Sequence, residues 1–203
     1  MKPSALTYQF KITLREITPA IWRRIVVRAD SSFWDLHVAI QDSMGWLDYH
    51  LHLFHVTAPN TKRIDLIGVP DDDAMDGDEP HLPGWTISLA NYFQEPGDRA
   101  LYEYDFGDGW EHDILLESVA LRTRGLRLPI CLDGERACPP EDCGGVPGYE
   151  NLLKILVDPD HDEHDTTVQW LGRVYKPDEF DPKMIRFENP KKRFEIAFEG
   201  DIL

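Results

Sequence analysis

The chain has 203 residues, 42% of them hydrophobic, and a formal net charge of −16. That length suits one domain that folds without disulfides or metal, and no apolar run approaches the roughly 20 residues that a bilayer span requires. The acidity opposes a grip on phosphate backbones, which need clustered Lys and Arg, so nucleic acid is disfavoured as a partner and no membrane contact is expected.

The opening residues hold no signal-peptide core, which places the expected protein in the cytoplasm. Residues 8–15 alternate, with Tyr8, Phe10, Ile12 and Leu14 on one face, as a half-buried strand does. A turn at 17–20 and a β-rich run at 21–28 complete a hairpin. Ser32 followed by Asp35 has the form of a capping box. Phe33, Leu36, Ile40 and Met44 then keep helical spacing up to Gly45. Residues 50–57 read as a strand, followed by acids at Asp71, Asp72, Asp73, Asp76, Asp78 and Glu79. This run fails as a calcium loop, because Ala74 and Pro83 stand where its third and twelfth ligand positions fall. A short helix is expected near 86–93.

Tyr102, Tyr104 and Phe106, then Gly107-Asp108-Gly109, then Trp110, His112 and Ile114 describe a hairpin. A three-residue loop with Gly109 left-handed would pair Phe106 with Trp110, Tyr104 with His112 and Tyr102 with Ile114. All the aromatic rings then share one face. The other face would set Asp105 against Glu111 and Glu103 against Asp113, a like-charge conflict needing solvent, basic neighbours or a cation to relieve it. After the cysteines, a helix is expected over 149–157, with Leu152, Leu153 and Leu156 inward. A short helix capped by Asp165 or Thr166 should run to Leu171. Asp181-Pro182 and Asn189-Pro190 each have the form of an N-cap with proline at the first helical position, the second opening a helix over 190–198. These elements predict an α+β fold: a mixed, mostly antiparallel sheet of hairpins packed against several helices. The whole chain, 1–203, forms one domain with a C-terminal helical appendage from about 181.

Two groups of residues have the chemistry of a site. Cys131, Cys138 and Cys143 are spaced C-x6-C and C-x4-C, and His164 or His161 could complete a Cys3His zinc site. Only the second gap approaches a zinc knuckle. A disulfide would leave one odd thiol, and small thiols packing a rigid turn is the reading the spacing favours. His50 and His52, if both lie in a strand, project to one side like two ligands of one ion, with Asp105, Asp108 or His112 as further ligands. Asp105-Phe106-Gly107 has none of the glycine-rich or catalytic loops that would make it a kinase triplet.

Ile21-Trp22-Arg23-Arg24, the stretch from Trp46 to Phe54, Tyr104-Asp-Phe-Gly-Asp-Gly-Trp-Glu-His112 and Cys138-Pro-Pro-Glu-Asp-Cys-Gly-Gly145 stand in that order. Together they resemble the plasmid pRiA4b ORF-3-like family, whose members carry mobile-element passenger or resolvase-like labels. The resemblance implies an α+β domain and marks Arg23, Trp46, His50, His52, Asp105, Asp108, Trp110, His112, Pro140, Glu141, Asp142, Gly144 and Gly145, to which the hairpin motif adds Tyr104. It supplies no catalytic role for any of them. The expectation is a binding or adaptor module whose polar–aromatic surface receives a protein or peptide partner, without an assigned cofactor. The alternatives are a metal-dependent hydrolase using His50, His52, Asp105 and His112 around zinc or another divalent ion, and a mobile-element accessory protein that processes nucleic acid. In either case the cysteine loop is expected to wall the site, with Glu141 and Asp142 reaching in.

Overall fold

In a computed structural model, residues 1–59, 61, 63–70 and 79–199 are described; the acidic run at 71–78 falls outside them. Strands β1 (Leu6–Leu14) and β2 (Trp22–Arg28) precede helix α1 (Phe33–Met44), and β3 (His52–Thr57), β4 (Ile64–Gly68), β5 (Leu82–Pro83), β6 (Arg99–Tyr104), β7 (Trp110–Leu121) and β8 (Ile130–Glu135) follow. Helices α2 (Gly145–Val157), α3 (His164–Leu171) and α4 (Pro190–Phe198) complete the chain. The strands form one sheet in the order β5-β4-β3-β6-β7-β1-β2-β8, antiparallel except for the β4–β5 pair. The expected α+β architecture is therefore the one adopted. The helix expected over 86–93 shrinks to a single 3-10 turn, Leu89–Asn91.

Alternation decides which face is dry. Tyr8, Phe10, Ile12 and Leu14 are all buried, and Phe54, Tyr102, Tyr104, Trp110 and Ile114 extend the same apolar face across the sheet. α1 packs against this face. Its N-terminus carries the full capping box, with Ser32 Oγ accepting from Asp35 N–H at 3.1 Å and Asp35 accepting from Ser32 N–H at 2.9 Å. Gly45, at φ 89°, ends it. α1 is buried on nearly every side, because α4 lies on its other flank. Trp34 donates its indole N–H to Pro190 O at 2.9 Å and packs against Phe194 and Phe198, while Arg193 bonds Asp42 at 2.7 Å. Both Asx-Pro motifs act as caps, Asp181 on Lys183 N–H and Asn189 on Lys191 N–H.

The β6–β7 register corrects the expected one. Tyr104 faces Trp110 and Tyr102 faces His112, so the loop is five residues, 105–109, and pairing is displaced by two positions. Two steps keep the parity, so the aromatic face survives while Phe106 is expelled and left about half exposed. The acidic face now sets Glu103 against Glu111. Basic neighbours relieve it: Arg15 from the β1–β2 turn bonds Glu111 and lies 3.9 Å from Asp113, and His55 lies 3.3 Å from Glu103. At the β1–β7 bulge, Arg24 bonds the Glu117 carboxylate through two nitrogens, at 2.6 and 3.0 Å, and this pairing holds the Glu117 carboxyl below its ordinary range.

The capping box gives the first test. Ser32→Ala should lower unfolding free energy by about 1 kcal/mol in urea titrations. Combined with Asp35→Ala, it should cost less than the sum of the two single changes, because each residue caps the other's backbone. Additive losses would show that the two caps act independently.

Candidate functional site

The site is built where the β6–β7 loop meets the segment after α1 and the cysteine loop. Asp105 takes a left-handed backbone, φ 56°, and its Oδ1 accepts from Gly107 N–H at 3.0 Å, folding the loop back on itself. Asp108 Oδ2 accepts from Gly144 N–H at 3.1 Å. A Cβ at Gly145 would stand 2.4 Å from Asp108 O, so only glycine lets the start of α2 sit on this hairpin tip. The Asp-Gly and Gly-Gly pairs of the two sequence motifs are thus two halves of one contact.

Further bonds fix the proline-rich loop. Trp46 donates its indole N–H to Pro139 O at 2.9 Å and stacks on Tyr104, with ring centroids 4.9 Å apart. Glu141 accepts from Leu47 N–H at 2.7 Å and from the Tyr104 hydroxyl at 3.0 Å. Burial raises the carboxyl pKa of Glu141, and burial together with the Glu141 charge raises that of the Tyr104 phenol. His50 Nε2 lies 2.9 Å from Asp142 Oδ1 and 3.6 Å from Asp105 Oδ2. One ligand atom from each of these three residues lies within 4.8 Å of the others, and among the described residues no other His, Cys, Asp or Glu cluster of three or more is as close. The ring nitrogen and carboxylate oxygens of this trio could hold a divalent ion.

The expected histidine arrangement is not the one found. β3 begins at His52, so His50 lies outside the strand at the rim while His52 is buried. The ring of His52 stacks on His37 of α1 at 3.5 Å, and its Nε2 has no hydrogen-bond partner. His112 is fully buried beside Trp46, and its Nε2 is also unpartnered. The set His50, His52, Asp105 and His112 therefore does not surround one ion: the two buried rings belong to the core, and Asp142 takes their place beside His50. Trp110 is likewise a core residue.

The cysteines also separate. Cys131 lies on β8, Cys138 is buried in the core and Cys143 stands just before α2, all three as free thiols. His164 pairs with Asp165 instead, so no Cys3His ligand set is assembled among the described residues. Burial pushes all three thiols up, Cys143 to about 12, which keeps them protonated and unreactive.

Two features escaped the sequence reading. The first is a polar chain inside the core. Gln41 donates to the Tyr102 oxygen at 2.9 Å, Tyr102 meets His37 Nδ1 at 2.8 Å, and His37 Nε2 meets Asp48 at 2.8 Å. Its signal was present, since His37 and Gln41 follow Phe33 at helical spacing on a buried face. The second is a groove of about 770 Å³ between the end of α1, residues 137–142 and the aperiodic segment 170–185. Leu47, Tyr49, Trp170, Val174 and Met184 line it, each more than half exposed. Arg23, Glu141 and Asp142 also line it, so the cysteine loop does wall a cavity, although the cavity runs toward the C-terminal segment. A smaller cavity of 330 Å³ includes none of the sequence-marked residues.

Comparison with known proteins agrees with the motifs. The family model described as plasmid pRiA4b ORF-3-like protein matches residues 6–184. The chain is 36% identical over 171 residues to an uncharacterized protein, y4hQ, of Sinorhizobium fredii (strain NBRC 101917 / NGR234), covering 83% of this chain and 82% of that one. It is also similar to the crystal structure of MM3350 from Methanosarcina mazei Go1, described as a protein of unknown function. That similarity has a TM-score of 0.81 and 43% identity over 90% of this chain and 98% of the other. The chain belongs to the pRiA4b ORF-3-like family.

The buried histidines set a pH dependence. Burial lowers the His52 pKa well below its ordinary value, and the neighbouring His37 adds to this; burial takes His112 down to about 3. In the unfolded chain both titrate near 6.5, so below that pH the unfolded state binds protons that the native state refuses. Stability should be full above about pH 6.5 and fall as pH drops, by about 1.4 kcal/mol per pH unit for each histidine. Urea titrations between about pH 7.5 and about pH 5 should show this slope, and His52→Phe should remove about half of it. An unchanged slope in that variant would show that His52 is not held neutral.

Proposed function

We propose that this family member is a binding module and that the groove beside the cysteine loop receives a peptide segment of a protein partner. One observation carries the reading: five large apolar side chains stand exposed around a single groove whose floor holds polar groups. Exposed apolar groups gathered around one concavity favour ligand contact in a way that scattered ones do not. The sheet helps by placing rigid structure under one wall. Trp46 and Glu141 fasten the proline-rich loop to α1 and β6, so one side of the groove is ordered before a ligand arrives. Aromatic groups at the rim, Tyr49 and Trp170, suit an interface centre, where such residues give much of the affinity.

A second reading has its own observation, the close approach of His50, Asp105 and Asp142. Two carboxylates and one imidazole leave positions open for water or substrate on a divalent ion, as a metal-dependent hydrolase requires. Asp142 lines the groove, so the two readings share an edge.

Peptides selected from a random display library on the wild-type protein test the first reading. Trp170→Ala or Leu47→Asp should weaken the selected peptides about tenfold or more by fluorescence anisotropy. Selection that enriches nothing, or affinities indifferent to both changes, removes the groove as the binding surface.

Dialysis against zinc or manganese followed by elemental analysis tests the second reading. About one ion per chain should be retained, and Asp105→Ala should lose it. Equal retention by that variant would place the ion elsewhere.

A further inference from the structure

Two acids are buried among the described residues, Asp65 and Asp105, and their surroundings differ. Asp65 has Arg63 at 2.7 Å and accepts from the Tyr92 hydroxyl at 2.7 Å. Asp105 is 6% exposed and pairs with neither Lys nor Arg among these residues. Its Oδ1 accepts from Gly107 N–H at 3.0 Å and from Asp108 N–H at 3.3 Å. Its Oδ2 makes no hydrogen bond among the described residues and faces His50 Nε2 from 3.6 Å, beyond bonding distance. A buried carboxylate oxygen without a donor is costly, so its aim at His50 and Asp142 points to a ligand between them.

The charge around it is unanswered as well. Glu141 and Asp142 stand in the same corner, and neither pairs with Lys or Arg among the described residues. Elsewhere arginine meets such groups, as Arg193 does Asp42 and Asp48, and as Arg24 does Glu117. Burial raises the Glu141 carboxyl, and the Asp142 charge adds to that rise. Three carboxylates thus share one imidazole.

The three candidate ligands also come from three segments. His50 follows α1, Asp105 opens the β6–β7 loop and Asp142 belongs to the cysteine loop. They meet only while that loop lies on the hairpin, held by Leu47 N–H on Glu141 at 2.7 Å and Gly144 N–H on Asp108 at 3.1 Å. Closing the loop brings like charges together, and a cation among them reverses that opposition. An ion with three ligands on the closed loop and two on the open one favours closure by its difference in affinity.

We infer that a divalent ion on His50, Asp105 and Asp142 acts as a clasp, fastening the cysteine loop to the hairpin and so holding the near wall of the groove. This rests on the metal reading above and adds what the ion does there. By linkage, whatever lifts the loop also weakens the ion.

Hydrogen exchange at Leu47 and Gly144 of the full chain, with and without manganese, tests the clasp. Manganese suits carboxylate ligands and, unlike zinc, does not favour the three thiols. Saturating ion should slow both amides about tenfold or more, because exchange then requires the ion to leave. Asp142→Asn and Asp105→Asn should each erase the slowing. Asparagine keeps an accepting oxygen and tolerates the left-handed backbone at both positions, φ 55° and 56°. If strand amides slow with the ion while Leu47 and Gly144 do not, the ion stays when the loop lifts. The clasp then fails and the metal reading stands. Slowing that survives both substitutions overturns the inference, since the ion then acts elsewhere. If no ion is retained and no amide slows, clasp and metal reading fall together.

Discussion

Three buried tyrosine hydroxyls organise the molecule. Tyr8, Tyr102 and Tyr104 fill the dry face of the sheet with their rings, and each carries into that interior an oxygen that must find a partner. An unpaired hydroxyl there would cost about 1–3 kcal/mol. Tyr8 donates to Phe93 O at 2.6 Å, and this fixes the segment before β6. Tyr102 meets Gln41 and His37, which sets the rotation of α1 over the sheet. Tyr104 donates to Glu141 and accepts from Tyr49 N–H, drawing the proline-rich loop and the segment after α1 to the same corner. One line of rings thereby positions a helix, a loop and one wall of the groove.

Much of this was legible. Strict alternation in β1, the capping box at Ser32 and the Asx-Pro caps are local rules that tertiary packing did not overrule. The hairpin was half legible: its aromatic parity is right, but Asp105 turns its carboxylate onto Gly107 N–H and leaves the ladder, lengthening the loop. Nothing in the apolar pattern distinguishes a shift of two, because both registers bury the same face. His50 and His52 misled for a related reason. Two residues apart means one side only if both belong to the strand, and the chain enters β3 at His52.

The candidate site was legible as motifs and not as geometry. Glu141, Asp142, Asp105 and His50 were all marked; the last three meet, and Glu141 binds Tyr104 beside them. Their partners were invisible because each contact spans a large sequence separation: Asp142 reaches His50 across 92 residues. The far wall of the groove left little pattern beyond the end of α3 and the Asp181 cap. Trp170 lies in the last turn of α3, but between α3 and α4 the chain has no regular period, and Val174 and Phe180 follow neither period of 2 nor of 3.6.

That far wall is fastened by side-chain contacts and one backbone bond, with no strand ladder of its own. Tyr175 meets Cys138 O and the Tyr149 hydroxyl, Ala137 donates its N–H to Pro177 O, Arg136 pairs with Asp178 at 3.1 Å, and Phe180 rests on Arg23. The strands beneath belong to an eight-stranded ladder, whose opening demands loss of the whole core. The two sides of the groove therefore differ in local stability, and the wall can detach in a sub-global opening that leaves the sheet native. The hydrogen-exchange protection of Ala137 then reports how firmly this wall is held.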